Sequence, residues 1–393
     1  MTVFINRVRL KNYRSIARCN VHLGAVTFLV GANGAGKSNF LDALRLISDA
    51  LNRTLDHALR ERGGLHEVRR RSSDHPTHFT IRVDFTLGQR DGHYSFSVGA
   101  KSKNAWSVAH EECCIGDFRY RVREGELIVQ SHGTMPPAAR DRLYLVNAAG
   151  LPAFRPVYDA LSRMGFYNLQ PDRMRDLQAP DEGLVLKRDG SNLASMIARL
   201  DLSELSGTKA RILEYLKRVV PGISDLAGKR IGHMETIEFF QEIKGPAAPW
   251  KFPAINMSDG TLRALAILTA LFQGENDASY VHLVGIEEPE TALHPAAARV
   301  LRECMLEASE RVQVLATSHS ADLLDDHSIL PEMLRAVVTD KNQTTIGGLS
   351  GATRSALKDD LFTAGELLKL DQLDIDPATK HDRSQLRLFE VVD

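Results

Sequence analysis

Two rhythms of apolar and polar residues change places several times along the chain. Val26-Thr27-Phe28-Leu29-Val30 is apolar almost throughout, as expected of a strand buried on both faces. After a glycine-rich stretch, Phe40, Leu41, Leu44, Ile47 and Leu51 recur at helical spacing, so a helix opens near Lys37. Upstream, residues 3–10 and about 18–23 read as short strands. Residues 78–130 alternate repeatedly between apolar and polar, with Gly88, Gly92, Gly116 and Gly125 as punctuation. That pattern predicts an antiparallel meander of about four or five strands.

From about 151 to 220 the rhythm turns helical: Leu193, Met196, Ile197 and Leu200 make one face, and Ile212, Leu213, Leu216 and Val219 another. Both stripes predict core packing. Residues 230–243 read as strand, and Pro246, Pro249 and Pro253 mark a loop. Strand and helix then alternate, with strands at 281–286 and 312–317, a helix from Pro295, and weaker strands at 334–338 and 343–347. The fold class inferred is α/β, a mixed and mostly parallel core with an antiparallel β flank and a helical lobe. The expected segments are 1–150, with the glycine-rich loop and antiparallel strands, 151–275, the helical lobe, and 276–393, which completes the core.

Composition narrows the partners. Lys plus Arg total 49 against 50 Asp plus Glu in 393 residues, so no global charge draws the chain to nucleic acid or membrane. A DNA contact must come from a local patch, for which the run Arg69, Arg70, Arg71 is the candidate and a solvated loop the plainer reading. Cys19, Cys113, Cys114 and Cys304 show no metal-ligand spacing, and the adjacent pair would point to opposite faces of a strand. Reduced cytosolic thiols and a cytoplasmic setting are expected, and no apolar run approaches the roughly 20 residues that span a bilayer.

The chemistry concentrates at strand ends. Gly31-Ala32-Asn33-Gly34-Ala35-Gly36-Lys37-Ser38 spells a complete phosphate-binding loop between the apolar strand and the helix. Its glycines let backbone N–H groups converge on a phosphate at the positive helix end. Lys37 is expected to neutralise the β- and γ-phosphates, and Ser38 to ligate Mg²⁺, so the chain is expected to bind a nucleoside triphosphate. The strand at 281–286 ends in Glu287-Glu288-Pro289-Glu290. Glu287 is the candidate carboxylate on the Mg²⁺ side, and Glu288 the candidate base that polarises the attacking water. The next apolar strand ends in Thr317-Ser318-His319, where His319 is expected to donate to the γ-phosphate. Ser258-Asp259-Gly260-Thr261 opens an apolar-faced helix and offers a hydroxyl and free N–H groups at a second positive helix end.

Taken together these motifs resemble the ATP-binding-cassette superfamily, specifically its non-transporter branch of RecF-, SMC- and OLD-like stand-alone ATPases. Ser258-Asp259-Gly260-Thr261 is similar to the family signature, and 287–295 to the acidic strand end and D-loop. Asn12-Tyr13-Arg14-Ser15, Asn39, Gly190-Ser191-Asn192-Leu193 and 361–367 also match. The resemblance implies ATP and Mg²⁺ as ligands and a P-loop ATPase of ABC type. It implies a homodimer in which Ser258 and Gly260 of one subunit complete the nucleotide site of the other. It further implies nucleotide contacts by Asn33, Gly34, Ala35, Gly36, Lys37, Ser38 and Asn39, with Arg14 at the adenine or α-phosphate. Gln170 is the candidate for the glutamine that reaches Mg²⁺, beside Ser38 and Glu287.

Departures from the family pattern sharpen the expectation. Ser38 and Ser258 lie more than half the chain apart, unlike the spacing in transporter cassettes, and the insertion lacks the sustained heptads of an SMC arm. Glu287 stands where many cassettes carry aspartate. The segment after His319 is short for the nuclease domain fused to OLD-like relatives, so a separate nuclease effector is expected. The function implied is a Mg-dependent ATPase clamp in DNA repair or anti-phage defence, without a membrane partner. The alternative is an ATP-gated scaffold that sequesters or releases a toxic effector.

Overall fold

A computed structural model describes residues 4–72, 75–102, 105–131, 135–202, 205–242, 249–273, 281–379 and 388–389. Two compact units divide the chain: residues 1–164 with 327–362 and 367–393, and residues 165–326 with 363–366.

The first unit begins with β1 (Ile5–Tyr13), β2 (Ile16–His22) and β3 (Val26–Val30), followed by α1 (Lys37–Asn52), α2 (Leu55–Arg60) and α3 (Leu65–Val68). β1 runs past residue 10 because Lys11 and Tyr13 stay in register with Arg18 and Ile16 across the hairpin. The meander is five strands: β4 (His78–Leu87), β5 (Arg90–Ser102), β6 (Ala105–Ile115), β7 (Phe118–Arg123) and β8 (Glu126–Gln130). With β1 and β2 it forms one antiparallel sheet in the order β2-β1-β4-β5-β6-β7-β8. The short helices α4 (Leu145–Ala148) and α5 (Arg155–Ser162) follow. In α1, Phe40, Leu41, Leu44, Ile47 and Leu51 are all buried, which is the face their spacing predicts.

The second unit holds β9 (Gly165–Tyr167), α6 (Pro171–Arg175), α7 (Leu193–Leu200), α8 (Ser206–Val219), β10 (Ile223–Ile231), β11 (Met234–Gln241) and β12 (Trp250–Pro253). After these come α9 (Asp259–Phe272), β13 (Leu283–Glu287), α10 (Pro295–Ala308), β14 (Gln313–Ser318) and α11 (Ala321–Leu324). β13 pairs in parallel with β9 on one side and β14 on the other, with Glu287 opposite Thr317. Two expectations change here. The helical stretch from 151 to 220 contains β9, whose three residues are too few to show a period. The strand at 230–243 is a hairpin, because Gly232 (φ 62°) turns the chain between β10 and β11. Residues 3 and 243 and Pro246 of the sequence reading lie outside the described residues.

The chain then returns to the first unit as β15 (Leu334–Asp340), β16 (Gln343–Gly347) and α12 (Gly351–Lys358). β15 runs parallel to β3, with Ala336 opposite Val30, and antiparallel to β16. Gly31 follows β3 so closely under β15 that a Cβ there would lie 2.0 Å from the Val337 carbonyl oxygen. Among the described residues no helix is long and apolar enough to cross a membrane. Cys113 is buried and Cys114 half-buried, as alternation on β6 requires.

One buried acid is unannounced by the sequence. Glu111 on β6 is wholly buried and accepts from the backbone amides of Tyr144 and Leu145 and from the hydroxyls of Tyr94 (3.1 Å) and Tyr120 (2.9 Å). Burial pushes its carboxyl up to about 7 from an ordinary 4.5, against the opposing pull of those four donors. Between these values the folded protein holds a proton that the unfolded chain has released, so stability falls as pH rises from about 4.5 to 7 and is level above that. The loss amounts to about 3 kcal/mol. Urea midpoints of the wild type and Glu111→Gln, compared at pH 5 and pH 7.5, should show the wild type losing stability relative to the variant; parallel behaviour contradicts the assignment.

Candidate functional site

Residues 31–38 leave β3 and enter α1 in the first unit. Gly34 (φ 78°) and Gly36 (φ 105°) take left-handed conformations that a side chain resists. Asn33, Gly34 and Ser38 are exposed, Gly36 and Asn39 half-buried, and Ala35 and Lys37 buried. Lys37 folds back, donating from Nζ to the carbonyls of Gly31 (2.6 Å) and Ala32 (3.0 Å). Asn39 donates to Ser15 Oγ (2.7 Å) in the turn between β1 and β2.

Arg14, in the same turn, adopts φ 45° and pairs through Nη2 with Asp42 of α1 at 2.9 Å. Asp42 also accepts from the Tyr13 hydroxyl (2.8 Å) and from Arg62 (3.0 Å). Burial pushes the Asp42 carboxyl up, but the guanidinium groups of Arg62, Arg45 and Arg14 outweigh it and hold the carboxyl below its ordinary value. Arg14 is thus placed on the flank of α1 by an ion pair. Of the basic run, Arg71 pairs with Glu67 and Arg70 reaches Gln343 (3.5 Å), while Arg69 is half-buried with its Nε unpartnered among the described residues.

The second unit collects the remaining candidates around the ends of β13 and β14. Glu287 closes β13, with Oε1 3.0 Å from Arg188 Nη2. Glu288 turns left-handed (φ 45°), and its N–H donates to the carbonyl and hydroxyl oxygens of Thr317 (both 3.1 Å). Its Oε1 lies 3.4 Å from His319 Nδ1, so the candidate base and the candidate γ-phosphate donor are neighbours. The N-terminal end of α9 is capped by Ser258, whose Oγ accepts from the Thr261 N–H (3.2 Å). Gly260 approaches the D-loop so closely that a Cβ would meet the Ala292 carbonyl oxygen at 2.7 Å. Gln170 is exposed at the head of α6.

Two residues outside the predicted set tie this cluster together. Arg263, nearly buried on α9, donates to the carbonyls of Leu169 (2.6 Å) and Glu288 (2.9 Å). It links the signature helix, the acidic strand end and the residue before Gln170. A lone cation in the otherwise apolar run 262–268 was the available signal. Glu290 accepts at Oε1 from Ser318 Oγ (2.7 Å) and the His319 N–H (3.3 Å), which fixes the loop carrying the imidazole. Its Oε2 is buried with no described partner. A proline-flanked acid after a pair of candidate acids reads from sequence as part of that pair, so its separate partners were hidden.

Two family descriptions match the chain. "AAA ATPase domain" matches residues 4–128, and "AAA domain, putative AbiEii toxin, Type IV TA system" matches 171–326. No curated protein matches. Among solved structures, an SMC head bound to the C-winged helix domain of ScpA is 13% identical with a TM-score of 0.57 and covers 89% of this chain and 99% of its own. An SMC head with an extended coiled coil, bound to a ScpA C-terminal domain derived from Pyrococcus furiosus, is 13% identical with a TM-score of 0.50. It covers 91% of this chain and 99% of its own. At that identity the likeness is one of fold.

Removing the Glu290 carboxylate frees the Ser318 hydroxyl and the His319 amide together. Glu290→Ala should therefore lower ATP turnover about tenfold or more while circular dichroism stays native. Glu290→Gln, which keeps an acceptor oxygen, should lose less. Wild-type turnover in a folded Glu290→Ala protein would remove Glu290 from the machinery.

Proposed function

We propose that the chain is a P-loop ATPase of the RecF- and SMC-like ABC type, as its AAA ATPase domain match and its SMC-head fold support, and that it hydrolyses Mg·ATP as a homodimeric clamp. In this reading Lys37 and the loop 33–39 hold the triphosphate. Glu288 orients and polarises the attacking water, His319 donates to the γ-phosphate oxygens, and Ser258 and Gly260 of the second subunit close on the same phosphate. ATP favours the closed dimer because only that state makes both sets of contacts, and hydrolysis removes them.

The observation that carries the reading is the condition of α9. Its body from Thr261 to Phe272 is buried throughout, yet Ser258 and Asp259 at its head are exposed and Ile255 just before them is 62% exposed. An apolar side chain beside an open, positive helix end is suited to cover by a second subunit that brings an anion with it. Ser38, Glu287 and Gln170 offer only oxygen donors, and the Ser38 and Gln170 side chains are exposed, which fits Mg²⁺. Mg²⁺ supplies charge neutralisation at the β- and γ-phosphate oxygens.

The cellular role inferred is DNA-directed repair or defence against phage, with a separately encoded nuclease as effector. The SMC heads of like fold bind a ScpA domain, which supports a protein partner for this chain as well. The toxin–antitoxin wording of the family matched over 171–326 favours a second reading. There the clamp is an ATP-gated scaffold that holds or releases a toxic effector. Stimulation of hydrolysis by DNA favours the first reading, and stable co-purification of an effector the second.

Glu288→Gln should bind ATP, fail to turn it over and accumulate as a dimer in light scattering, whereas the wild type returns to monomer as ATP is consumed. A variant that stays monomeric with saturating ATP rules the clamp out.

A further inference from the structure

The conformation of the phosphate loop is held by a residue far from it in sequence. Thr344 on β16 is fully buried, and its Oγ1 donates to the Ala35 carbonyl oxygen at 2.8 Å. A hydroxyl has one proton, so the 2.7 Å contact between Thr344 Oγ1 and Ser15 Oγ is donated by Ser15. Ser15 in turn accepts from Asn39 Nδ2 at 2.7 Å. The carbonyl at the end therefore orients every proton in the chain, from Asn39 to Ser15 to Thr344 to Ala35. It begins in the first turn of α1 and ends in the loop just before it, enclosing Gly36, Lys37 and Ser38. The Thr344 N–H also donates to the Ser15 carbonyl at 3.0 Å, so the two hydroxyl carriers are locked to each other.

Within a trans peptide the carbonyl and the following N–H point in opposite directions. Drawing the Ala35 carbonyl onto Thr344 turns the Gly36 N–H away from β16. Phosphate loops bind through such N–H groups, whose directions must be set in advance to act together. The same contact explains Gly36: a Cβ there would lie 2.1 Å from Thr344 Oγ1 and 3.0 Å from Ser15 Oγ. β16 is a firm support, since it pairs with β15 (Thr344 opposite Thr339) and β15 is registered on β3.

We propose that Thr344 is a positioning residue for nucleotide binding, acting through the Ala35–Gly36 peptide, with Ser15 and Asn39 as the relay that fixes its hydroxyl. The proposal rests on residues 31–38 being the phosphate loop and is independent of the clamp. Titration calorimetry with a slowly hydrolysed ATP analogue, beside steady-state kinetics, tests it in the full-length protein. Thr344→Val keeps shape and removes only the hydroxyl; it should raise Kd and KM about tenfold and leave kcat within about twofold of wild type. Thr344→Ser should restore binding. If Thr344→Val does not fold, Ser15→Ala carries the test, with an expected loss of about threefold. Wherever both variants fold, the double variant should bind no more weakly than Thr344→Val alone, because both break one chain. Unchanged Kd in a folded Thr344→Val or Ser15→Ala protein, or a loss confined to kcat, overturns the proposal. Undiminished binding by Lys37→Ala would instead overturn the assignment of the phosphate loop itself.

Discussion

Strands β3 and β13 are apolar along almost their whole length, as is β14 from Val314 to Ala316, and burial of those residues favours the strand ends as the place for polar groups. All three lead into candidate site residues: the glycine loop after Val30, the acid pair at Glu287 and Glu288, and Ser318-His319 after Thr317. The constraint is one of solvation. A polar side chain within such a strand must find a partner inside the protein, as Thr27 does in accepting from the Gly24 N–H at 3.0 Å, while past the strand end it meets solvent, ligand or a loop. Parallel pairing of β13 with β14 puts two of these ends side by side, with Glu287 opposite Thr317.

Buried charge is tolerated where its hydrogen-bonding capacity is used. Asp42 takes three guanidinium groups and a phenol, and Arg263 spends its terminal nitrogens on two backbone carbonyls. Glu111 gathers four donors to fasten α4 to the meander. Removing one member from such a group leaves the rest unsatisfied in a poor solvent, so each cluster acts as a rigid rivet more than as a source of net stability.

Much of the fold was legible because its signals are local. The glycine loop between an apolar strand and an apolar-faced helix, the five alternating strands and the alternation after residue 281 each fit within a short window. β9 was hidden because three residues carry no period, and the β10–β11 hairpin because its turn rests on a single glycine. In the site, the motif residues were legible and their supports were not. Thr344 and Ser15 are 329 positions apart, and only the ladder from β3 through β15 to β16 brings them to 2.7 Å. Arg263 left a trace, a solitary cation in an apolar helix. Glu290 left none, since three acids around a proline look alike until their partners are known.

Arg263 has a consequence for how the second unit moves. Its guanidinium is a stiff plane that grips the backbone at Leu169 and at Glu288 from within the first turns of α9. A tilt or rotation of that helix therefore transmits mechanically to the carboxylate-bearing bend, without waiting for any change in the loop side chains. A ligand that shifted the exposed head of the helix would shift the Glu288 bend with it, and by reciprocity a ligand that shifted the bend would shift the helix. A single side chain thus couples the first turns of α9 to the bend that carries Glu288.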